Sequence, residues 1–95
     1  MRPTIALIQA ATADHYGIGL DTMWGRTKVP KFSHPRQVAM CLARRLTKQS
    51  TTVIGWKFKR DHSTICWAEQ EVERRCLTDP KLASDLREIT LGLLT

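Results

Sequence analysis

The run Thr51-Thr52-Val53-Ile54-Gly55-Trp56-Lys57-Phe58-Lys59-Arg60-Asp61-His62-Ser63-Thr64-Ile65 holds two helical patterns with almost nothing between them. Ile54 and Phe58 stand four apart, the spacing of one helical face, and predict a short helix from about Thr51 to Phe58. Lys59-Arg60 leaves room only for a tight turn. Asp61 then offers a carboxylate to the free amides of a new helix start, and Ile65, Ala68 and Val72 mark that helix's buried stripe. A short helix, a tight turn and a longer helix form a helix-turn-helix pattern, whose second member presents its N-terminal residues to the major groove of a duplex. Here those residues are Asp61, His62, Ser63 and Thr64. A carboxylate can accept from cytosine N4, hydroxyls donate or accept, and a threonine methyl packs on thymine.

Upstream, Val38, Leu42 and Leu46 line one face of a helix expected from Pro35 to Thr47, with Pro35 in the first turn where its missing N–H is harmless. Gly25, Pro30 and Pro35 punctuate a basic loop of about ten residues before it. Leu20 to Trp24 suits one short helical turn, and an opening helix runs from a Thr4 cap to Gly17 with Ile5, Ile8 and Ala11 or Thr12 on one face. Downstream, Thr78-Asp79-Pro80 ends one helix and starts another, in which Leu82, Leu86, Ile89 and Leu93 recur at helical spacing. No strand signal competes. The expectation is an all-α bundle of about six helices, one domain over residues 1–95.

Charge is informative once it is placed along the chain. The net +6 is local: between Asp21 and Asp61 there is no carboxylate, while ten bases fall there. They are Arg26, Lys28, Lys31, Arg36, Arg44, Arg45, Lys48, Lys57, Lys59 and Arg60. Clustered cations gain affinity for a polyanion by releasing the counterions condensed on its phosphates, so double-stranded DNA is the expected partner. A solvated basic face without a partner is the plain alternative.

Other classes find little support. Cys41, Cys66 and Cys76 are odd in number and lack C-x-x-C spacing, so reduced thiols are expected rather than disulfides or zinc. His15 and His34 have no ligand spacing to any cysteine, and no metal or other cofactor is expected. Asp61, His62 and Ser63 carry the names of a catalytic triad, yet neighbours on a helix point about 100° apart and cannot form that relay. The basic half offers no paired carboxylates for a nuclease metal, so an enzyme is not expected. No apolar run approaches a membrane span, and Met1-Arg2-Pro3 lacks a signal-peptide pattern; a cytoplasmic, nucleoid-associated protein without a membrane role is the expectation.

The stretch Pro35-Arg36-Gln37-Val38-Ala39-Met40, then Leu42-Ala43-Arg44 and Leu46-Thr47, followed by Ile54-Gly55, Phe58 and Arg60-Asp61-His62-Ser63-Thr64-Ile65, resembles the signature of the C-terminal domain of the bacterial replication initiator DnaA. Ile8, Tyr16-Gly17 and Leu20 are similar to that domain's opening helix and turn, so the resemblance covers about Pro3 to Leu93. It implies a Trp-repressor-like six-helix fold that binds an A/T-rich DnaA box, with Asp61, His62, Ser63 and Thr64 on base edges. It also implies phosphate contacts from Arg36, Gln37, Arg44, Lys59 and Arg60, and a basic loop with Arg26, Lys28 and Lys31 in the adjacent minor groove, Lys28 at the inserting position. Two departures stand out. The family has two glycines between the phenylalanine and the R-D-H element, whereas Lys59 alone stands between Phe58 and Arg60, which predicts a changed entry angle for the helix. Lysine at position 28 is a point charge where a planar fork would suit a narrow groove better.

No G-x-x-x-x-G-K-[S/T] occurs, so no nucleotide is expected in this chain. A free-standing copy of such a domain would occupy boxes as a replication regulator, compete with a full initiator, or regulate transcription, a phage or a mobile element. A protein-interaction adaptor that kept the fold and lost specific DNA binding is the reading from another class.

Overall fold

The computed structural model describes residues 2–94. It contains α1 (Ile5–Tyr16), a 3-10 turn (Leu20–Trp24), α2 (Pro30–Leu46), α3 (Thr51–Phe58), α4 (His62–Cys76) and α5 (Pro80–Leu94). These six helical segments match the all-α expectation, and there is no strand among the described residues. Helix α2 packs against every other segment and forms the centre of a body of 32 × 28 × 25 Å. Val38 and Leu42 from α2, Ile8 from α1, Met23 from the 3-10 turn, Ile54 and Phe58 from α3, and Ile65, Ala68 and Val72 from α4 are essentially excluded from water. Leu82, Leu86 and Ile89 add one face of α5. No helix among the described residues is long and apolar enough to cross a membrane.

Local chemistry sets the helix ends. The Thr4 hydroxyl accepts from the Leu7 amide at 3.1 Å, and Gly17 closes α1 in the left-handed region at φ 67°. The amides of Gly17 and Ile18 then reach back to Asp14 and Ala13, so two end carbonyls of the helix are satisfied. Helix α2 corrects the sequence reading. It begins at Pro30, not Pro35, because Val29 is extended and its carbonyl takes the amides of Phe32 and Ser33 at 2.9 Å. Pro30 occupies the first helical position, and Pro35 lies inside the second turn, where it withholds a donor from the exposed Lys31. The basic loop therefore shrinks to Gly25–Val29, and Lys31 belongs to a helix.

The turn between α3 and α4 ends a helix as Gly17 does, but with a lysine. Lys59 sits at φ 55°, the sole non-glycine with positive φ among the described residues. The Arg60 amide donates to the Gly55 carbonyl at 2.8 Å and the Lys59 amide to Trp56 at 3.3 Å. The backbone doubles back so closely that a Cβ on Gly55 would lie 2.5 Å from the Arg60 carbonyl oxygen. Glycine is thus required one turn inside α3, where its lack of a side chain admits the returning chain, and not at the left-handed position itself.

Asp85 ties the first helix to the last. Its buried carboxylate accepts from Tyr16 Oη at 3.0 Å, lies 3.1 Å from His15 Nε2 and takes the Lys81 ammonium. Burial alone would raise its pKa, but the hydrogen bonds from Lys81, His15 and Tyr16 outweigh it and hold Asp85 below the ordinary carboxylate value. Burial and then Asp85 push the Tyr16 hydroxyl well above its usual pKa. The three cysteines are free, and burial raises the Cys41 thiol to about 12, far from a reactive thiolate.

Three substitutions test the turn and the carboxylate. Gly55→Ala should lower the urea-unfolding free energy by about 1–3 kcal/mol because the Arg60 backbone has to move away, whereas Lys59→Gly should raise it by about 0.5–1 kcal/mol by relieving the left-handed residue. A depressed carboxylate contributes stability that is present above its unfolded pKa of about 3.9 and disappears as pH falls through the folded value. Asp85→Asn should therefore be less stable at neutral pH and show a flatter loss of Tm below about pH 4 than the parent chain.

Candidate nucleic-acid interface

The start of α4 is exposed and chemically organised. Asp61 is the N-cap, with extended backbone. One carboxylate oxygen accepts from the His62 amide at 2.8 Å and lies 3.0 Å from His62 Nδ1, and the other takes the Ser63 hydroxyl at 3.3 Å. The Asp61 and His62 side chains are 71% and 62% exposed, so the capping role does not bury either one. The His62 ring thus turns its Nδ1 to the Asp61 carboxylate. Thr64 is half-buried, and directly behind it Ile65 and Ala68 fix the helix to the core. The tip is a rigid polar projection.

Beside it lies a basic cavity of about 420 Å³, lined by Arg26, Lys28, Ser33, Arg36, Gln37 and Arg60. Residues from the loop, from α2 and from the turn before α4 meet here, although up to 34 positions separate them in the chain. No carboxylate lines the cavity. Its crowding shows in the pKa values: burial and then the Arg60 charge lower Arg36, while burial and then Arg26 lower Arg60. An added anion would relieve that repulsion.

The two arginines are not free surface charges. Arg36 is only 6% exposed; its Nε donates to the Thr22 carbonyl at 3.0 Å, and both terminal nitrogens donate to the Thr27 carbonyl at 3.2 Å. Arg60 donates to the carbonyls of Phe58 and Lys59 at 3.2 Å and, through its other terminal nitrogen, to that of Gly25. The loop is further ordered by the Val29 amide on Thr27 Oγ1 at 3.2 Å and by Ser33 Oγ near the Lys28 carbonyl.

Lys31, Lys59 and Arg44 stand apart from the cavity. Lys31 is exposed in the first turn of α2, its ammonium 5.6 Å from the Phe32 ring centre. Lys59 is exposed at the apex of the turn. Arg44 lies 3.6 Å from Glu69, and Arg45 lies 3.9 Å from Glu73, so α4 supplies carboxylates to a stretch that has none of its own. Gln37 accepts from Arg75 at 2.5 Å, and that guanidinium also meets His34 and Glu71. Burial and then Arg75 lower the His34 pKa.

Sequence reasoning missed the burial of Arg36 and the parts played by Ser33, Gly55 and Arg75. A signal for the first was present. Arg36, Ala39, Met40 and Ala43 share one helical face, and all four are buried. The carbonyls of Thr22, Gly25 and Thr27 left no trace, because backbone acceptors are independent of residue type.

Residues 5–72 match the family model described as the bacterial dnaA protein helix-turn-helix. The chromosomal replication initiator protein DnaA of Cereibacter sphaeroides is 44% identical over 85 residues, covering 88% of this chain and 19% of that protein. The protein of the same name from Anaplasma marginale is 40% identical over 84 residues, covering 87% and 18%, and that from Roseobacter denitrificans is 37% identical over 91 residues, covering 95% and 20%. The chain spans about a fifth of the length of these relatives. The matched module is a non-catalytic helix-turn-helix, in agreement with the absence of a triad or nuclease signature in the sequence. With the family model covering most of the chain and Asp61, His62 and Ser63 exposed at the start of α4, the chain belongs to the bacterial DnaA helix-turn-helix family.

Proposed function

We propose that residues 1–95 form one module that binds DnaA-box-like double-stranded DNA, in replication initiation or its regulation, with the α4 tip in the major groove and the Gly25–Val29 loop in the adjacent minor groove. The observation that carries this reading is the exposed, mutually oriented Asp61–His62–Ser63 tip directly next to a cavity rich in cations and free of carboxylates. Asp61 accepts from an exocyclic amine, His62 Nε2 pairs with a base donor, and Ser63 and Thr64 supply a hydroxyl and a methyl. Lys28 enters the minor groove, with Arg26 at its rim. Arg36, Gln37, Lys59 and Arg60 meet phosphates around the cavity, and Lys31 extends that track along α2. Arg44 joins only by exchanging Glu69 for a phosphate. The reading needs no cofactor, nucleotide or membrane, and it locates the chain at the nucleoid in the cytoplasm.

Fluorescence anisotropy with a labelled box and a scrambled duplex checks this. Arg26, Lys28, Arg36, Lys59 and Arg60 neutralising about five phosphates should give a log K against log salt slope near −4.5. The box should win by at least about 1 kcal/mol per critical base pair, and His62→Ala should flatten that preference while leaving the salt slope nearly intact. Equal affinity for both duplexes would reject specific readout. No measurable binding at low salt would leave a protein-interaction adaptor as the better description.

A further inference from the structure

Arg36 and Arg60 spend most of their donors on the protein's own backbone. Between them they hold the carbonyls of Thr22, Gly25 and Thr27, spaced through the segment that leads into the basic loop. One guanidinium is rooted in α2 and the other in the residue immediately before the N-cap of α4. The loop itself has little else to fix it. Arg26, Thr27, Lys28 and Val29 are exposed; apart from the backbone bonds at its two ends, the Gly25 amide on Thr22 and the Val29 carbonyl that starts α2, the loop is linked through short-range contacts involving Thr27 and Ser33.

We infer that Arg36 and Arg60 are positioning residues that lock the basic loop to the start of α4, so that the minor-groove and major-groove elements present one fixed spacing to DNA. The proposal rests on the DNA-binding reading above and adds to it the origin of register between the two grooves. The chemistry favours arginine. A planar guanidinium presents several N–H groups in one fork, and it stays charged despite the burial and the neighbouring arginine charge, Arg60 for Arg36 and Arg26 for Arg60, that lower both pKa values. A lysine ammonium is a compact point charge on a flexible stem, so Arg60→Lys and Arg36→Lys keep the charge and lose the multipoint hold. Gly25–Val29 would then be free to move relative to α4, and Lys28 would no longer arrive at a fixed base step.

The test separates grooves chemically. An inosine–cytosine pair has the minor-groove pattern of A·T but the major-groove pattern of G·C, because only the guanine N2 amine distinguishes G from inosine. With the intact chain, replacing the A·T pairs beneath the loop by G·C should weaken binding about fivefold or more per critical pair, and replacing them by I·C should not. In Arg60→Lys the G·C penalty at those pairs should fall towards none, while the preference for the box bases read by the α4 tip survives and the salt slope stays within about one unit. An unchanged G·C penalty, or a uniform loss of preference at tip and loop positions alike, would overturn the inference.

A second measurement stands without DNA. Amide hydrogen exchange and 15N relaxation of the free chain should show residues 26–29 becoming mobile in Arg60→Lys and in Arg36→Lys, with the α4 amides still protected. Loop amides as ordered as in the parent chain would also refute the lock. If the intact chain prefers no duplex, the DNA-binding reading fails, and this solution measurement still decides whether the two arginines hold the loop.

Discussion

The closeness of the Arg60 carbonyl to the bare α-carbon of Gly55 is the constraint on which the remaining structure turns. It lets α3 end and α4 begin within three residues, Lys59 to Asp61. That shortness fixes the angle between the two helices, and with it the direction in which Asp61, His62 and Ser63 project. The same carbonyl belongs to the residue whose side chain reaches the Gly25 carbonyl. One residue therefore closes the turn with its backbone and meets the loop with its guanidinium. A larger residue at position 55 would disturb both at once.

The periodic parts of the fold were legible because burial imposes a 3.6-residue rhythm on sequence. Ile54 with Phe58 predicted both ends of α3, and Asp61 with Ile65, Ala68 and Val72 predicted the start of α4, which ends at Cys76, ahead of the expected stop at Thr78-Asp79-Pro80. Capping was equally open to inspection: Thr4, Asp61 and Asp79 each accept a backbone amide near the start of a helix, as side chains of that type do. Prolines were more ambiguous. Pro30 and Pro35 both suit a first turn, and the choice falls to Pro30 because the Val29 carbonyl already receives two amides there. A proline in the second turn is tolerable when the carbonyl it deprives faces water, a circumstance that sequence does not record.

Charge proved legible in sign but not in place. The carboxylate-free stretch from residue 22 to residue 60 identified a cationic molecule, yet Arg44 and Arg45 find Glu69 and Glu73 across the interface with α4. Arg26, Lys28, Arg36 and Arg60 gather at the loop and the turn, whereas Lys48 and Lys57 line a separate hollow with Arg2. Arg36, expected to contact phosphate, lies buried, because its neighbours Ala39, Met40 and Ala43 face inward and carry it with them. The exposure of Asp61, His62 and Ser63 was legible from type and position together, since a polar run at the start of an amphipathic helix has no core in which to hide.

The longest extent of the body, 32 Å, falls a little short of one turn of B-form duplex, about 34–36 Å. A copy seated on DNA as proposed therefore covers about a single helical repeat along the axis. Neighbouring recognition sequences phased by whole repeats could be filled side by side on the same flank without collision, while half-repeat phasing would set consecutive copies on opposite flanks. The spacing of binding sites would thus dictate whether bound copies can touch.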